Sequence, residues 1–240
     1  MQPKDYFIET LAERGVIKPG MKILELGSGQ SRAILSFLKK YPETVYIGVE
    51  PSPVAAGVAK ELLKEFKNAK VYNQLAYDEI KDCENFDICI SLSVLEHVKQ
   101  LDKFLINSIK YVRPGAQIIH RYDLGHALYP CSMKEKFQIF LGNNFPAILP
   151  EDKFVRYLSE QEVCETLKNN GAQIENITYS QMPNHKAFMK VFKTDTNEKA
   201  KLARKVWEWE DEVSPYVKEI GQKQRELLFP AVTVWAKKNS

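Results

Sequence analysis

The stretch that most constrains the fold of this chain is Ile23-Leu24-Glu25-Leu26-Gly27-Ser28-Gly29-Gln30-Ser31. An apolar run ends in an acid and breaks into closely spaced glycines. Ala33, Ile34, Leu35, Phe37 and Leu38 then follow at helical spacing. This reads as a buried strand opening onto a glycine turn, with a helix behind it. Glycine lets the backbone bend sharply and lets a ligand approach the main chain closely, so the turn is read as a nucleotide-type cofactor site.

Two cofactor classes share that geometry. A dinucleotide site wants G-x-G-x-x-G, the third glycine admitting close helix–strand packing. Gly27 and Gly29 fit, but the third position is Arg32, which works against NAD or FAD. Glu25 has no place beside a pyrophosphate and suits a cationic cofactor with an amino acid group. About twenty residues on, Val45-Tyr46-Ile47-Gly48-Val49-Glu50 is a second short apolar run ending in an acid. An acid at that offset accepts hydrogen bonds from ribose hydroxyls. It also suits a helix-capping carboxylate, because Pro51-Ser52-Pro53 starts a helix immediately after it.

From Tyr6 to Tyr122 the chain resembles class I S-adenosylmethionine-dependent methyltransferases. Glu25-Leu26-Gly27-Ser28-Gly29 matches the first motif and Glu50 the ribose acid. The stretch Phe86 to Val98, with Leu95-Glu96-His97-Val98 at its end, matches the fourth-strand segment. Tyr111-Val112-Arg113-Pro114-Gly115-Ala116 matches the turn before strand five. Two positions depart from the pattern: Ser31 replaces a common third glycine, and Leu75 sits where an aspartate often follows strand three. The resemblance implies S-adenosyl-L-methionine as cofactor, bound by Glu25, Leu26, Gly27, Ser28, Gly29, Ser31, Glu50, Pro51, Ala76, Ser91 and Leu92. It also implies a Rossmann-like α/β/α sandwich with a mostly parallel sheet in the order 3-2-1-4-5-7-6 and the seventh strand antiparallel.

Periodicity gives the same class, since short apolar strands alternating with amphipathic helices imply a parallel sheet covered on both faces. The expected elements are a helix from Tyr6 to Gly15, strands 23–26, 45–49, 70–73, 86–91 and 117–121, and helices 32–40, 53–66 and 101–112. The whole of 1–240 reads as one domain. Residues 1–22 form the N-terminal helix, 23–123 the cofactor-binding core and 124–158 a lid or acceptor insert. Residues 159–240 complete the sheet and add charged helices. The insert is longer than an ordinary connection, which favours a lid or substrate platform. Within it a helix is expected at Ser132–Leu141. Beyond it come a helix at 160–170, a strand at 173–180, and a charged helical stretch from Thr196 to Leu228 interrupted near Pro215. Ala231 to Ala236 alternates and is taken as the last strand, with 186–193 as the alternative.

The chain is long enough to bury a sizeable core as one domain. With 34 basic and 31 acidic residues, the net charge of +3 is too balanced to indicate a nucleic-acid surface. Adenine-amino enzymes of this fold carry an Asn/Asp-Pro-Pro-aromatic string after strand four, where this chain has Ser91-Leu92-Ser93-Val94. No run is long enough to span a bilayer and the first residues contain no signal-peptide core. Cys83, Cys89, Cys131 and Cys164 show no C-x-x-C spacing and read as reduced thiols in a cytoplasmic protein.

The candidate base lies in His120-Arg121-Tyr122-Asp123-Leu124-Gly125-His126, directly after strand five, with His97 at the end of strand four. Histidine titrates near neutrality and can take a hydroxyl proton, and Asp123 can orient it. The catalytic candidates are therefore His120, Asp123, His126 and His97. The string resembles one in methyltransferases of bacterial surface-glycan synthesis, which implies a sugar or phosphorylated precursor as acceptor. Arg121 suits either an anionic acceptor or an ion pair with Glu96 or Asp123. No metal is expected, because no cysteine partner is nearby in sequence for a four-ligand site. Tyr122, Tyr129, Phe137, Phe140 and Phe145 read as the core of the insert or the roof of an acceptor pocket. The function expected is O-methylation of a small molecule, with a homodimer possible. The alternatives are N-methylation of an amine or protein, and a non-catalytic cofactor-binding subunit.

Overall fold

The computed structural model describes residues 3–81, 83–130, 132–180 and 196–240. In chain order the elements are α1 (Pro3–Glu13), β1 (Lys22–Leu26), α2 (Leu35–Lys40), β2 (Val45–Val49), α3 (Pro53–Leu63), β3 (Ala69–Tyr72), β4 (Phe86–Leu92) and α4 (Leu101–Lys110). They continue as β5 (Val112–Asp123), α5 (Gly125–Leu128), α6 (Met133–Asn144), α7 (Glu160–Asn169), β6 (Ala172–Ser180), α8 (Thr196–Val217), α9 (Gln222–Leu228) and β7 (Ala231–Lys238). The seven strands form one sheet in the order β3-β2-β1-β4-β5-β7-β6. β7 is antiparallel to both its neighbours and the β1–β5 pairings are parallel. This is the Rossmann-like methyltransferase sheet, and its last strand is 231–238. The alternative, 186–193, lies outside the described residues.

Successive side chains on a strand point to opposite faces, and here both faces are buried. Ile23, Tyr46, Ile88, Ile90, Leu92 and Ile119 pack with α1, α2 and α3. Leu24, Leu26, Val49, Cys89, Ile118 and Tyr122 pack with α4 and α7. The same alternation decides which polar residues can share a site. Glu25, Leu92, Arg121 and Asp123 fall on the α1 side, whereas Ser91 and His120 fall on the α4 side.

His120 is therefore corrected from candidate base to core residue. It is 0% exposed. Its Nε2 is 3.0 Å from Ser108 Oγ and its Nδ1 is 2.8 Å from Ser91 Oγ. The Ser108 hydroxyl donates to the Leu105 carbonyl, so it accepts from His120 Nε2–H, and Nδ1 accepts from Ser91. Burial pushes the imidazole down to about 3. Ser91 is itself 0% exposed, so its side chain belongs to this core trio and not to a ligand.

Two other expectations change. α8 runs through Pro215 to Val217, and the break falls at 218–221. A proline in the last turn removes one hydrogen bond where the helix is ending anyway. The aromatics of the insert do not form its core: Phe137, Phe140 and Phe145 are all more than half exposed, while Tyr122 belongs to the main core. α8 is solvated on one side only. Trp207 stacks on Tyr6 at 4.8 Å, and Arg204 reaches Glu13 at 2.7 Å, joining α8 to α1. No described helix is long and apolar enough to cross a membrane.

His120 carries a testable consequence. Between pH 6.5 and about 3 the unfolded chain binds a proton that the folded chain does not, so stability falls as pH drops through that window. His120→Ala is expected to cost roughly 2–4 kcal/mol through the cavity and the unpaired hydroxyls. It also removes that part of the pH slope, with cofactor affinity little changed. Urea unfolding between pH 3 and 8 measures both.

Candidate cofactor and acceptor site

The site is built where β1 and β2 end. The Gly27 and Ser28 amides both donate to the Val49 carbonyl, at 2.8 and 3.0 Å, which ties the turn to β2. Gly27, Gly29 and Ser31 all have left-handed backbone, with φ of 76°, 55° and 53°. Such a turn points successive N–H groups inward and favours an anionic or oxygen-rich ligand. Gly27 has no room for a side chain, since a Cβ would come within 2.5 Å of Val94. Gly48 makes space for the turn, because a Cβ there would lie 2.7 Å from Ser28 Oγ. Ser31 keeps the left-handed geometry without being glycine. Its Oγ lies 3.0 Å from the Tyr46 hydroxyl.

Two carboxylates frame the turn. The Tyr46 hydroxyl donates to Glu25 Oε2 at 2.5 Å. Burial pushes the Glu25 carboxyl up to about 7; the Tyr46 bond and Lys4 pull it down and Glu50 pushes it up. Glu50 is pinned by two amides: Oε2 accepts from Gly29 N at 2.8 Å and Oε1 from Ser52 N at 2.9 Å. Each oxygen keeps acceptor capacity. The capping contact thus coexists with acceptor capacity left for a ribose hydroxyl, on a carboxylate that is itself buried. Asn73 Nδ2 donates to the carbonyls of Glu50 and Pro51 at 2.9 and 3.0 Å and fixes the β2 tip against β3.

A cleft of about 410 Å³ opens over the turn, within the usual range for small-ligand sites. Glu25, Ser28, Gly29, Ser31 and Leu92 line it, as do Asp123 and His126. Lys4 and Phe7 of α1 close one side, and Arg32, Ser93 and Arg121 complete the wall. Of the expected cofactor residues, Leu26, Gly27, Glu50, Pro51, Ala76 and Ser91 do not line it; Glu50 stands behind the wall, bonded to the Gly29 amide that does. Leu26 and Ala76 are in the core, and the Ala76 carbonyl accepts from Asn107 Nδ2 at 3.0 Å. Ser28 Oγ is buried in the cleft wall with no hydrogen-bond partner among the described residues. The unpaired hydroxyl, the crowded glycines and the buried acid fit a cofactor with an ammonium group and a ribose.

At the ends of β4 and β5 a second group converges. His126 Nε2 lies 3.9 Å from Asp123 Oδ2, and Asp123 Oδ1 accepts from Gly125 N at 2.7 Å. His97 meets His126 edge-on with ring centroids 5.5 Å apart. Its Nδ1 donates to the Phe154 carbonyl at 3.0 Å, which leaves Nε2 as the free ring nitrogen, 3.9 Å from Glu96 Oε1. Burial lowers the His97 imidazole. Glu96 is 0% exposed, its Oε1 accepts from Asp123 N at 3.3 Å, and burial with the nearby Asp123 charge pushes it up to about 8. Three of the four expected catalytic residues are thus brought together, and His120 is left out. Tyr46, Ser93, Glu96 and the α1 residues were not singled out as site residues in the sequence. Tyr46 was open to inference, since it shares a strand face with Gly48. Among the described residues no group of three or more His, Cys, Asp or Glu side chains is arranged to hold a metal ion.

The sequence matches the family model described as a methyltransferase domain over residues 4–177. The chain belongs to that family, the class I methyltransferases whose cofactor is S-adenosylmethionine. It is similar to an enzyme of Rhizobium leguminosarum bv. trifolii named ubiquinone biosynthesis O-methyltransferase, with 30% identity over 162 residues, 66% of this chain and 62% of that one. The aligned region spans less than two thirds of the length of the curated relatives first matched. Among solved structures, phosphoethanolamine N-methyltransferase 2 of Haemonchus contortus, in complex with S-adenosyl-L-methionine, superposes with a TM-score of 0.62 at 18% identity. That match covers 97% of this chain and 52% of the other. The [4+2]-cyclase SpnF superposes with a TM-score of 0.62 at 16% identity, over 98% of this chain and 81% of the other. These two likenesses establish the fold.

A protonated Glu25 cannot pair with an ammonium group. Affinity for S-adenosylhomocysteine is therefore expected to fall as pH drops below about 7, approaching about tenfold per unit. Glu25→Gln is expected to weaken binding at pH 8 and flatten the profile. Calorimetry from pH 5.5 to 8.5 checks both.

Proposed function

We propose that this chain transfers the methyl group of S-adenosylmethionine to a hydroxyl oxygen of a small molecule. The observation that carries the reading is the His126–Asp123 pair on the wall of the cleft that also contains Glu25 and the glycine turn. The O-methyltransferase name of the Rhizobium relative supports oxygen as the atom methylated.

When bound, the cofactor supplies an electrophilic methyl group on a sulfonium. Glu25 would pair with its ammonium group, and the lone pairs left on Glu50 would accept from its ribose. The protein's remaining task is to place the acceptor oxygen and take its proton. His126 is about half exposed on the cleft wall, so an incoming hydroxyl can reach its imidazole. The Asp123 carboxylate beside it stabilises the imidazolium that forms. His97 packs against the His126 ring and limits its rotation. Asp123, His126 and Phe154 all come from strand five or the segment that follows it, so 124–158 shapes the acceptor side of the site. α1 closes the other side through Lys4 and Phe7 and helps exclude water.

A positioned base contributes about 10²–10⁴-fold. His126→Asn is expected to lower kcat by a factor in that range with cofactor affinity retained, and Asp123→Asn by less. The assay is transfer from ¹³C-methyl-labelled cofactor to hydroxyl compounds, with the methylated atom identified by NMR. Unchanged turnover in both variants, or label found on nitrogen, would reject the oxygen-acceptor reading. The N-methyltransferase fold neighbour makes the second outcome a real alternative.

A further inference from the structure

β1 and β2 run side by side in parallel, with Ile23 opposite Tyr46 and Glu25 opposite Gly48. Tyr46 therefore starts one pleat below the cleft, on the strand face it shares with Gly48. Its ring is fully buried in the α1-side core with Ile23 and Ile88, and only the hydroxyl reaches the site. A Cβ on Gly48 would crowd that oxygen at 3.1 Å, so the bare glycine leaves its path open. The oxygen meets two partners, Glu25 Oε2 at 2.5 Å and Ser31 Oγ at 3.0 Å. A phenol has one proton to give. Burial, with the Glu25 charge beside it, holds this phenol well above its ordinary value. It thus donates to the carboxylate and accepts from the Ser31 hydroxyl. Ser31 is fixed by the left-handed turn, its amide donating to the Ser28 carbonyl at 2.9 Å.

A phenylalanine would fill the same core space, so the hydroxyl adds nothing to packing. A buried hydroxyl is costly unless it is paired, and both of its pairs lie at the cofactor site. Among the described residues it is the one hydrogen-bond donor to the Glu25 carboxylate. A bond on Oε2 turns that carboxylate and leaves Oε1 for a ligand in the cleft that Glu25 lines. We propose that Ser31 and Tyr46 are positioning residues for the amino acid end of the cofactor: Ser31 directs the Tyr46 hydroxyl, and the hydroxyl presents the Glu25 carboxylate to the ammonium group. The inference rests on the pairing of Glu25 with that ammonium group proposed above, and it is independent of the acceptor.

The same bond bears on when Glu25 is charged. Burial pushes the carboxyl up to about 7; the Tyr46 bond pulls it down more than Lys4 does, and Glu50 raises it. Loss of the bond moves it higher. Asp5, Arg32, Arg121, Asp123 and His126 also share the cleft wall. They are common to wild type and variant, so a difference between the two pH profiles reports the hydroxyl.

The test is calorimetry of the full chain from pH 5.5 to 8.5 with S-adenosylhomocysteine and with 5′-methylthioadenosine, which keeps the nucleoside and lacks the amino acid group. In Tyr46→Phe, affinity for S-adenosylhomocysteine is expected to fall about fivefold or more at pH 7, and the midpoint of its profile to rise by about one pH unit. Affinity for 5′-methylthioadenosine should not change. Ser31→Gly, which keeps the left-handed backbone, should move the profile the same way by less. The inference is overturned if Tyr46→Phe leaves the S-adenosylhomocysteine profile in place. It is also overturned if both ligands weaken alike, because the hydroxyl then supports the turn as a whole. Should Tyr46→Phe not fold, an unmoved profile in Ser31→Gly overturns it. A wild type that binds S-adenosylhomocysteine no better than 5′-methylthioadenosine rejects the pairing of Glu25 with the ammonium group, and this inference with it. A silent Tyr46→Phe beside a wild type that prefers S-adenosylhomocysteine rejects this inference alone.

Discussion

One carboxylate holds the cleft in shape. Glu50 accepts from the Gly29 amide on one oxygen and from the Ser52 amide on the other, and so couples the left-handed turn after β1 to the start of α3. Besides that clamp the turn is held by the Val49 carbonyl, the Ser31 N–H to Ser28 carbonyl bond and the Tyr46–Ser31 hydroxyl contact. Charge-assisted bonds of this kind are about twice as strong as neutral ones, and two of them on one side chain fix its rotamer. The acid proposed to meet the cofactor's ribose is therefore held in place by the protein's own amides. Gly27 and Gly48 follow from the same requirement, since a side chain at either would strike Val94 or Ser28.

The second constraint is the alternation of side chains on strands buried on both faces. It puts Glu25, Leu92, Arg121 and Asp123 on one side of the sheet and Ser91, His120 and Tyr122 on the other. A single step along β5 thus separates a guanidinium that faces a cleft from an imidazole sealed between two serines. The cleft side gains acids and cations that would be costly in a core, while on the α4 side Ser91, His120 and Ser108 are buried through neutral hydrogen bonds.

That alternation also explains what could be read from the sequence. The strand–glycine–helix pattern at 23–38, the acid at Glu50, the sheet order and the last strand were all legible, because each depends on local spacing or on a resemblance carried by several motifs. His120 and Ser91 were misplaced because both faces of β4 and β5 are apolar, so no hydrophobic rhythm marks which face a polar residue joins. The exposure of Phe137, Phe140 and Phe145 was not legible either, since a helix in an insert shows its apolar face whether or not something covers it. Pro215 gave a break that came a few residues later, because proline tolerates the end of a helix. Glu96 was hidden in the Leu-Glu-His-Val string, where only the closeness of Asp123 shows that two acids share one buried corner.

The central claim is that carboxylates at the tips of β1 and β2 create the cofactor site. Calorimetric titration of Glu50→Ala against the wild type with S-adenosylhomocysteine at pH 8 tests it most directly. The expected result is saturable binding by the wild type and a loss of about tenfold or more, roughly 1.4 kcal/mol, in a variant that still folds but melts at a lower temperature, because the Gly29 and Ser52 amides lose their acceptors. Equal affinity in the two proteins, or no binding by a folded wild type, would contradict it.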